Sequence, residues 1–124
     1  MKKVIASPNA PKAVGPYSQA ILAGNTLYVS GQLPVNPETG TVPETIEEQT
    51  AQSLKNTGAI LAEAGFTFDD VVKSTVLLAD MNDFAAMNGV YAQTYQKDMP
   101  ARVCYQVAKL PLGVKVEIET IAVK

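Results

Sequence analysis

The chain has 124 residues, of which 47% are hydrophobic and 18% charged, with a net charge of −2, one cysteine, no tryptophan and no histidine. This length suits a single domain, residues 1–124, that buries enough surface for a real core. The balance of charge lacks the basic stripe of a nucleic-acid binder, no apolar run approaches the ~20 residues of a bilayer span or the core of a signal peptide, and a lone cysteine excludes an internal disulfide, so the expectation is a soluble cytoplasmic protein with neither nucleic-acid nor membrane partner.

Taken in chain order, Val4-Ile5 suggests a short first strand. Residues 7–16, rich in Pro and Ala, form an arm that ends in Gly15-Pro16 and leads to Tyr17. Gln19–Ala23 and Thr26–Ser30 read as strands of a hairpin turned at Gly24-Asn25. Gly31-Gln32-Leu33-Pro34 ends it, and Asn36-Pro37-Glu38-Thr39-Gly40 is a turn-rich loop. A long helix follows over about Thr45–Ala64, with Ile46, Thr50, Leu54, Thr57 and Leu61 on one face at helical spacing. Thr45 and Glu48 have the spacing of a capping box, and Gly65 supplies the stop.

Val71–Ala79 is rich in β-branched residues and reads as a strand. Strict alternation places Val72, Val76 and Leu78 on one face and Val71, Leu77 and Ala79 on the other. A second helix is expected over about Asp83–Gln96, with Phe84, Met87, Tyr91 and Tyr95 on its apolar face and Asn88 among them. Pro100 ends that connection. Ala101–Val107 and Val114–Val123 complete a β-β-α-β-α-β-β order, and two helices that follow strands suggest one helical layer on one sheet.

Chemistry is constrained by what is missing. Without histidine there is no Ser-His-Asp arrangement and no ordinary zinc site, and a single cysteine cannot build a thiolate metal site. Gly31-Gln32-Leu33-Pro34 lacks the glycines and lysine of a phosphate loop. Catalysis must use carboxylates, tyrosines, the thiol, backbone groups, water and the one arginine, Arg102, in a chain whose nine other cations are all lysine.

Arg102 lies within a short apolar strand and shares a face with Cys104, ~7 Å along it. A guanidinium in such a place needs an anionic partner. Two partners are open on pattern alone: Glu117 or Glu119, which share a face of the last strand opposite Val116 and Ile118, or the carboxylate of a ligand, which arginine binds bidentately. Cys104 reads as a small buried hydrophobe as readily as a pocket residue. The amide of Asn88 needs partners that spacing does not identify. Tyr17 reads as a plug beside a turn, and Gly31 either as a turn residue or as a point of close ligand approach.

Together, Gly15-Pro16-Tyr17-Ser18-Gln19, Ser30-Gly31-Gln32-Leu33-Pro34, Pro100-Ala101-Arg102-Val103-Cys104 and Val116-Glu117-Ile118-Glu119 resemble the Rid family of reactive intermediate deaminases, RidA type, over nearly the whole chain. The resemblance implies an α+β, chorismate-mutase-like fold with a mixed β-sheet and two helices packed on one face. It also implies a homotrimer with ligand sites between subunits. The implied activity is that of a 2-iminobutanoate/2-iminopropanoate deaminase, which hydrolyses enamines and imines such as 2-aminoacrylate and 2-iminopropanoate to 2-keto acids and ammonia without metal or cofactor. Arg102 falls on the family's carboxylate-binding position and Glu117 on its water-positioning one. Tyr17, Ser30, Gly31, Asn88 and Cys104 fall on the remaining pocket positions. The field of Arg102 is then expected to favour the ionised form of Glu117, as a general base requires.

A non-catalytic binding, sensor or chaperone-like role for small keto or amino acids is the alternative, since a binder also needs Arg102. A nuclease or translation-inhibitor role, also attached to the family, fits least well with an acidic chain that lacks histidine. Low charge and an apolar strand at Val71–Ala79 agree with a second sheet face that is covered by other subunits.

Overall fold

The computed structural model describes residues 1–124. Its strands are β1 (Lys2–Ile5), β2 (Ala20–Ala23), β3 (Thr26–Gln32), β4 (Val71–Leu78), β5 (Ala101–Gln106) and β6 (Val116–Val123), and its helices are α1 (Ile46–Glu63) and α2 (Phe84–Thr94). The six strands form one mixed sheet in the order β1-β2-β3-β6-β4-β5. All neighbours are antiparallel except β4 and β5, which run parallel because α2 carries the chain back between them.

Alternation along the strands decides which face the helices cover. Leu27 and Val29 of β3, Val76 and Leu78 of β4, and Val116 and Ile118 of β6 are buried with Leu54, Ile60 and Leu61 of α1 and Met87 and Tyr91 of α2 in one core. Burial of each such side chain contributes about 1.5–3 kcal/mol. The opposite face carries Tyr28, Val103, Tyr105 and Val123, each more than a third exposed, with Glu117 and Glu119 between them. Two helices therefore cover one face only.

α1 starts where Thr45 accepts a hydrogen bond from the Glu48 backbone N–H (3.1 Å) and ends before Gly65, which takes φ +79°. The Glu48 carboxylate accepts from the Thr45 hydroxyl (2.9 Å), so only half of the expected capping box forms. The full reciprocal box is at Thr67–Asp70. Ile46, Thr50, Leu54, Thr57 and Leu61 are all buried, as their spacing predicts.

The alternation predicted for the fourth strand fails at its start. The β4–β6 register shifts between Val71 and Lys73, a β-bulge that lets Val71 enter the core at 5% exposure and turns Val72 outward at 47%. Val71 therefore joins the face of Val76 and Leu78, and Val72 leaves it. No helix is long and apolar enough to cross a membrane.

Candidate active site

The predicted site residues fall into two groups, and one chain keeps them apart. On β4, Ser74 pairs with Arg102 of β5, and Leu77 pairs with Glu117 of β6. Positions 74 and 77 differ in parity, so Arg102 and Glu117 project from opposite faces of the sheet. β5 and β6 follow one another in sequence, yet β4 lies between them. The ion pair of Arg102 with Glu117 or Glu119 that the sequence left open does not form within the chain.

The first group lines a cavity of about 510 Å3 that includes Tyr17, Ser30, Gly31, Leu33, Leu112, Glu117 and Glu119. Gly31 lies in the irregular stretch where β3 shifts register against β6. A Cβ at this position would run into the Glu117 carboxyl group, so the absence of a side chain makes room for that carboxylate. Glu117 is partly buried, and burial, followed by the charge of Glu119, raises its carboxyl above the ordinary range. The stabilisation expected from Arg102 is absent in a single chain, and the shift runs the other way.

Ser30 is fixed on both its backbone and its hydroxyl: its N–H donates to Gln19 O (2.9 Å) and its Oγ to Ser18 O (2.6 Å). Tyr17 is half exposed, and its hydroxyl accepts a long hydrogen bond from Val14 N–H (3.4 Å), so it borders the cavity rather than plugging the core.

Two buried amides that the sequence reading did not single out hold this side of the site. Gln19 Oε1 accepts from Ser7 N–H (2.6 Å), while its Nε2 donates to the carbonyls of Ser7 (3.2 Å), Ala10 (3.4 Å) and Pro11 (2.8 Å). It staples the Pro-rich arm to the end of the hairpin. Asn56 of α1 donates to Leu33 O (3.1 Å) and Val35 O (2.9 Å), which fixes the loop after β3. The one signal available was a polar residue amid the apolar positions of each element.

The second group lies on the helix-covered face at the sheet edge. Arg102 Nη1 donates to Asn88 Oδ1 at 2.8 Å, which supplies the partner that the Asn88 amide needs. The guanidinium carbon lies 4.8 Å from the ring centroid of Tyr91 and 5.6 Å from that of Phe84. Cys104 is half-buried beside the core, and burial raises its thiol above the ordinary value, with Arg102 offsetting this only in part. The thiol form predominates at neutral pH, which argues against a nucleophilic role. This group offers a cation without a carboxylate, and the cavity group offers a carboxylate to which Arg102 contributes nothing. Residues of both groups are oxygen, nitrogen and thiol donors, with no group of three or more metal-ligating side chains.

Comparison with known proteins adds the following. A family model described as endoribonuclease L-PSP matches residues 7–124. A RutC family protein of Pyrococcus horikoshii is 54% identical over 125 residues, covering 100% of this chain and 99% of the relative. A protein of Capra hircus named 2-iminobutanoate/2-iminopropanoate deaminase is 53% identical over 125 residues, covering 100% of this chain and 91% of the relative. Among solved structures, YyfA of Yersinia pestis, a protein of unknown function in the conserved Rid family, superposes with a TM-score of 0.97 at 47% identity, with 100% of both chains covered.

Proposed function

The chain belongs to the Rid family, and on that basis we propose that it hydrolyses reactive enamines and imines of amino-acid origin to 2-keto acids and ammonia, in a homotrimer whose clefts join the two groups across a subunit boundary. The observation that carries this reading is the division of the site. Arg102 is oriented by Asn88 yet has no protein carboxylate, and Glu117 sits in a cavity on the other sheet face. Each half lacks what the other supplies. The apolar residues on the open face, Tyr28, Val103, Tyr105 and Val123, support its burial against other subunits.

In such a cleft Arg102 binds the substrate carboxylate and places the C=N carbon near Glu117 of the neighbouring subunit. An enamine such as 2-aminoacrylate first tautomerises to the imine, gaining a proton at its terminal carbon as its nitrogen gives one up to water. Glu117 orients a water and accepts its proton as oxygen bonds to the imine carbon. That proton passes on to nitrogen to give a carbinolamine. The carbinol hydroxyl then gives its proton, through Glu117, to the nitrogen, its oxygen forms C=O as the C–N bond breaks, and ammonia leaves with the 2-keto acid. Ser30 and Gly31 border the water side, Tyr17 supplies a hydroxyl there, and Cys104 packs beside Arg102 without forming a covalent bond. The imine is already electrophilic, so orientation and proton transfer are sufficient, and in favourable cases these are worth several kcal/mol.

The direct test is to generate 2-aminoacrylate in situ and follow pyruvate formation with the wild-type protein and with Arg102→Ala. Acceleration that Arg102→Ala abolishes in an intact oligomer is expected. Pyruvate binding without acceleration would replace the deaminase by a keto-acid binder. Co-refolding Arg102→Ala with Glu117→Gln tests the shared cleft, because about one cleft in four in random mixed trimers regains both groups. No recovery, or a monomer mass by light scattering at low micromolar concentration, would refute it.

A further inference from the structure

Arg102 is a long, flexible side chain that must present its donors in one orientation. A carboxylate of the protein could do this, but it would occupy the donors that a ligand needs. α2 uses another device. Phe84, Asn88 and Tyr91 follow one another at spacings of four and three, so they share one face of the helix. Asn88 takes a hydrogen from Nη1 at 2.8 Å, and both aromatic rings lie within cation–π range of the guanidinium carbon. Aromatic faces attract the cation and leave its N–H edges unused. With Nη1 engaged by Asn88, the Nε–Nη2 edge makes no hydrogen bond to the protein, and that edge has the parallel donor geometry that a carboxylate fits.

We propose that Phe84 and Tyr91 are positioning residues that hold the Arg102 guanidinium so that its Nε–Nη2 edge receives the ligand carboxylate; this rests on the reading of Arg102 as the ligand's anchor. Tyr91 is 6% exposed and set in the core, whereas Phe84 is partly exposed at the start of α2. Burial raises the Tyr91 phenol, outweighing the opposing effects of Ser74 and Arg102, so the ring stays neutral at ordinary pH. Its hydroxyl is buried without a well-aligned hydrogen bond. The ring, not the hydroxyl, is therefore the functional part, and Tyr91→Phe should preserve it.

A single arginine makes the test direct, because a 15N-labelled sample gives one Nε–Hε signal. Pyruvate is the probe. In the wild type that signal should move as pyruvate is added. Tyr91→Leu and Phe84→Leu should shift the ligand-free signal away from its ring-current position and weaken pyruvate binding roughly 3- to 30-fold. Tyr91→Phe should leave both readouts near wild type. A merely structural role would lower the melting temperature while leaving the pyruvate affinity and the pyruvate-induced movement of the signal as in the wild type. Phe84→Leu, at the less buried position, keeps the test usable if Tyr91→Leu fails to fold. If the folded leucine variants keep the wild-type pyruvate affinity and pyruvate-induced movement of the signal while Arg102→Ala loses pyruvate, the anchor stands and the positioning role falls. If Arg102→Ala binds pyruvate normally, the anchor and this inference fall together.

Discussion

Gly31→Ala tests the cavity side of the site with the smallest possible change. An ideal Cβ at this position would lie 2.9 Å from Glu117 Cδ and 3.1 Å from Cγ, and closer still to a carboxylate oxygen. The carboxyl group must swing away, because the obstacle is attached to backbone held in the sheet. A rotamer change of that kind costs about 0.5–1.5 kcal/mol, a modest loss of stability. Its effect on rate is expected to be larger, since a shift of about 1 Å in a positioned group can cost ~10²-fold. Imine hydrolysis, followed as pyruvate released from 2-aminoacrylate, should therefore fall about 10²-fold, while circular dichroism and light scattering stay near wild type. Gly58→Ala is the contrast. Its Cβ would come within 2.9 Å of the Phe68 ring, far from the cavity, so it sets a packing cost of about 1–3 kcal/mol against about 1 kcal/mol of gained helix propensity and should spare the rate. In a Glu117→Gln background, Gly31→Ala should add little further loss, because it acts through that carboxylate. Wild-type turnover in a folded Gly31→Ala protein would refute the assignment of Glu117.

Further outcomes can be checked by similar means. Cys104→Ser should keep substantial activity, because burial keeps the thiol protonated and no covalent step is needed; complete loss in a folded variant would indicate a nucleophile. The rate should fall on acidification as Glu117 takes up a proton, and because the charge of Glu119 favours that protonated form, Glu119→Gln should move the midpoint to lower pH in a pH–rate profile. Gln19→Ala removes the amide that joins the arm at Ser7, Ala10 and Pro11 to the hairpin, and it should lower stability by about 1–3 kcal/mol in urea unfolding while raising KM through the loosened arm.

The order of elements was legible because the signals were local. Thr45 caps α1, Gly65 stops it, and Ile46, Thr50, Leu54, Thr57 and Leu61 repeat with helical period. The bulge at Val71–Lys73 was not legible: both Val71 and Val72 suit either face, and only the pairing with β6 decides between them. Arg102, Asn88, Glu117, Gly31, Ser30 and Tyr17 could be picked out singly, but their grouping could not. It depends on β4 separating two strands that are consecutive in sequence, and then on two registers along β4. Whether Arg102 pairs with a carboxylate within the chain, one of the two partners left open for it, was not legible for the same reason. A strand pattern announces that a charge needs company, and here much of it comes from the rings of a helix above the sheet. Gln19 and Asn56 act through loop carbonyls whose positions no periodicity encodes.

The separation of the halves also bears on how copies of this chain assemble. An isologous dimer presents one surface of each subunit to the same surface of the other. Arg102 and Glu117 project from opposite faces of one sheet, and a single flat contact cannot use both faces at once. A head-to-tail contact can, because the Arg102 side of each subunit then meets the Glu117 side of the next. Repeated around a closed ring, that contact completes every cleft and leaves no open end, as a trimer requires. The ionisation of Glu117 distinguishes this from an isolated chain, in which Arg102 is not among the groups that shift it. In the proposed ring, a neighbouring guanidinium would hold the Glu117 carboxyl down, so Arg102→Ala should raise its midpoint in a carboxyl 13C titration of the assembled protein. An unchanged midpoint would mean that no Arg102 lies beside Glu117, and the head-to-tail cleft would have to be abandoned.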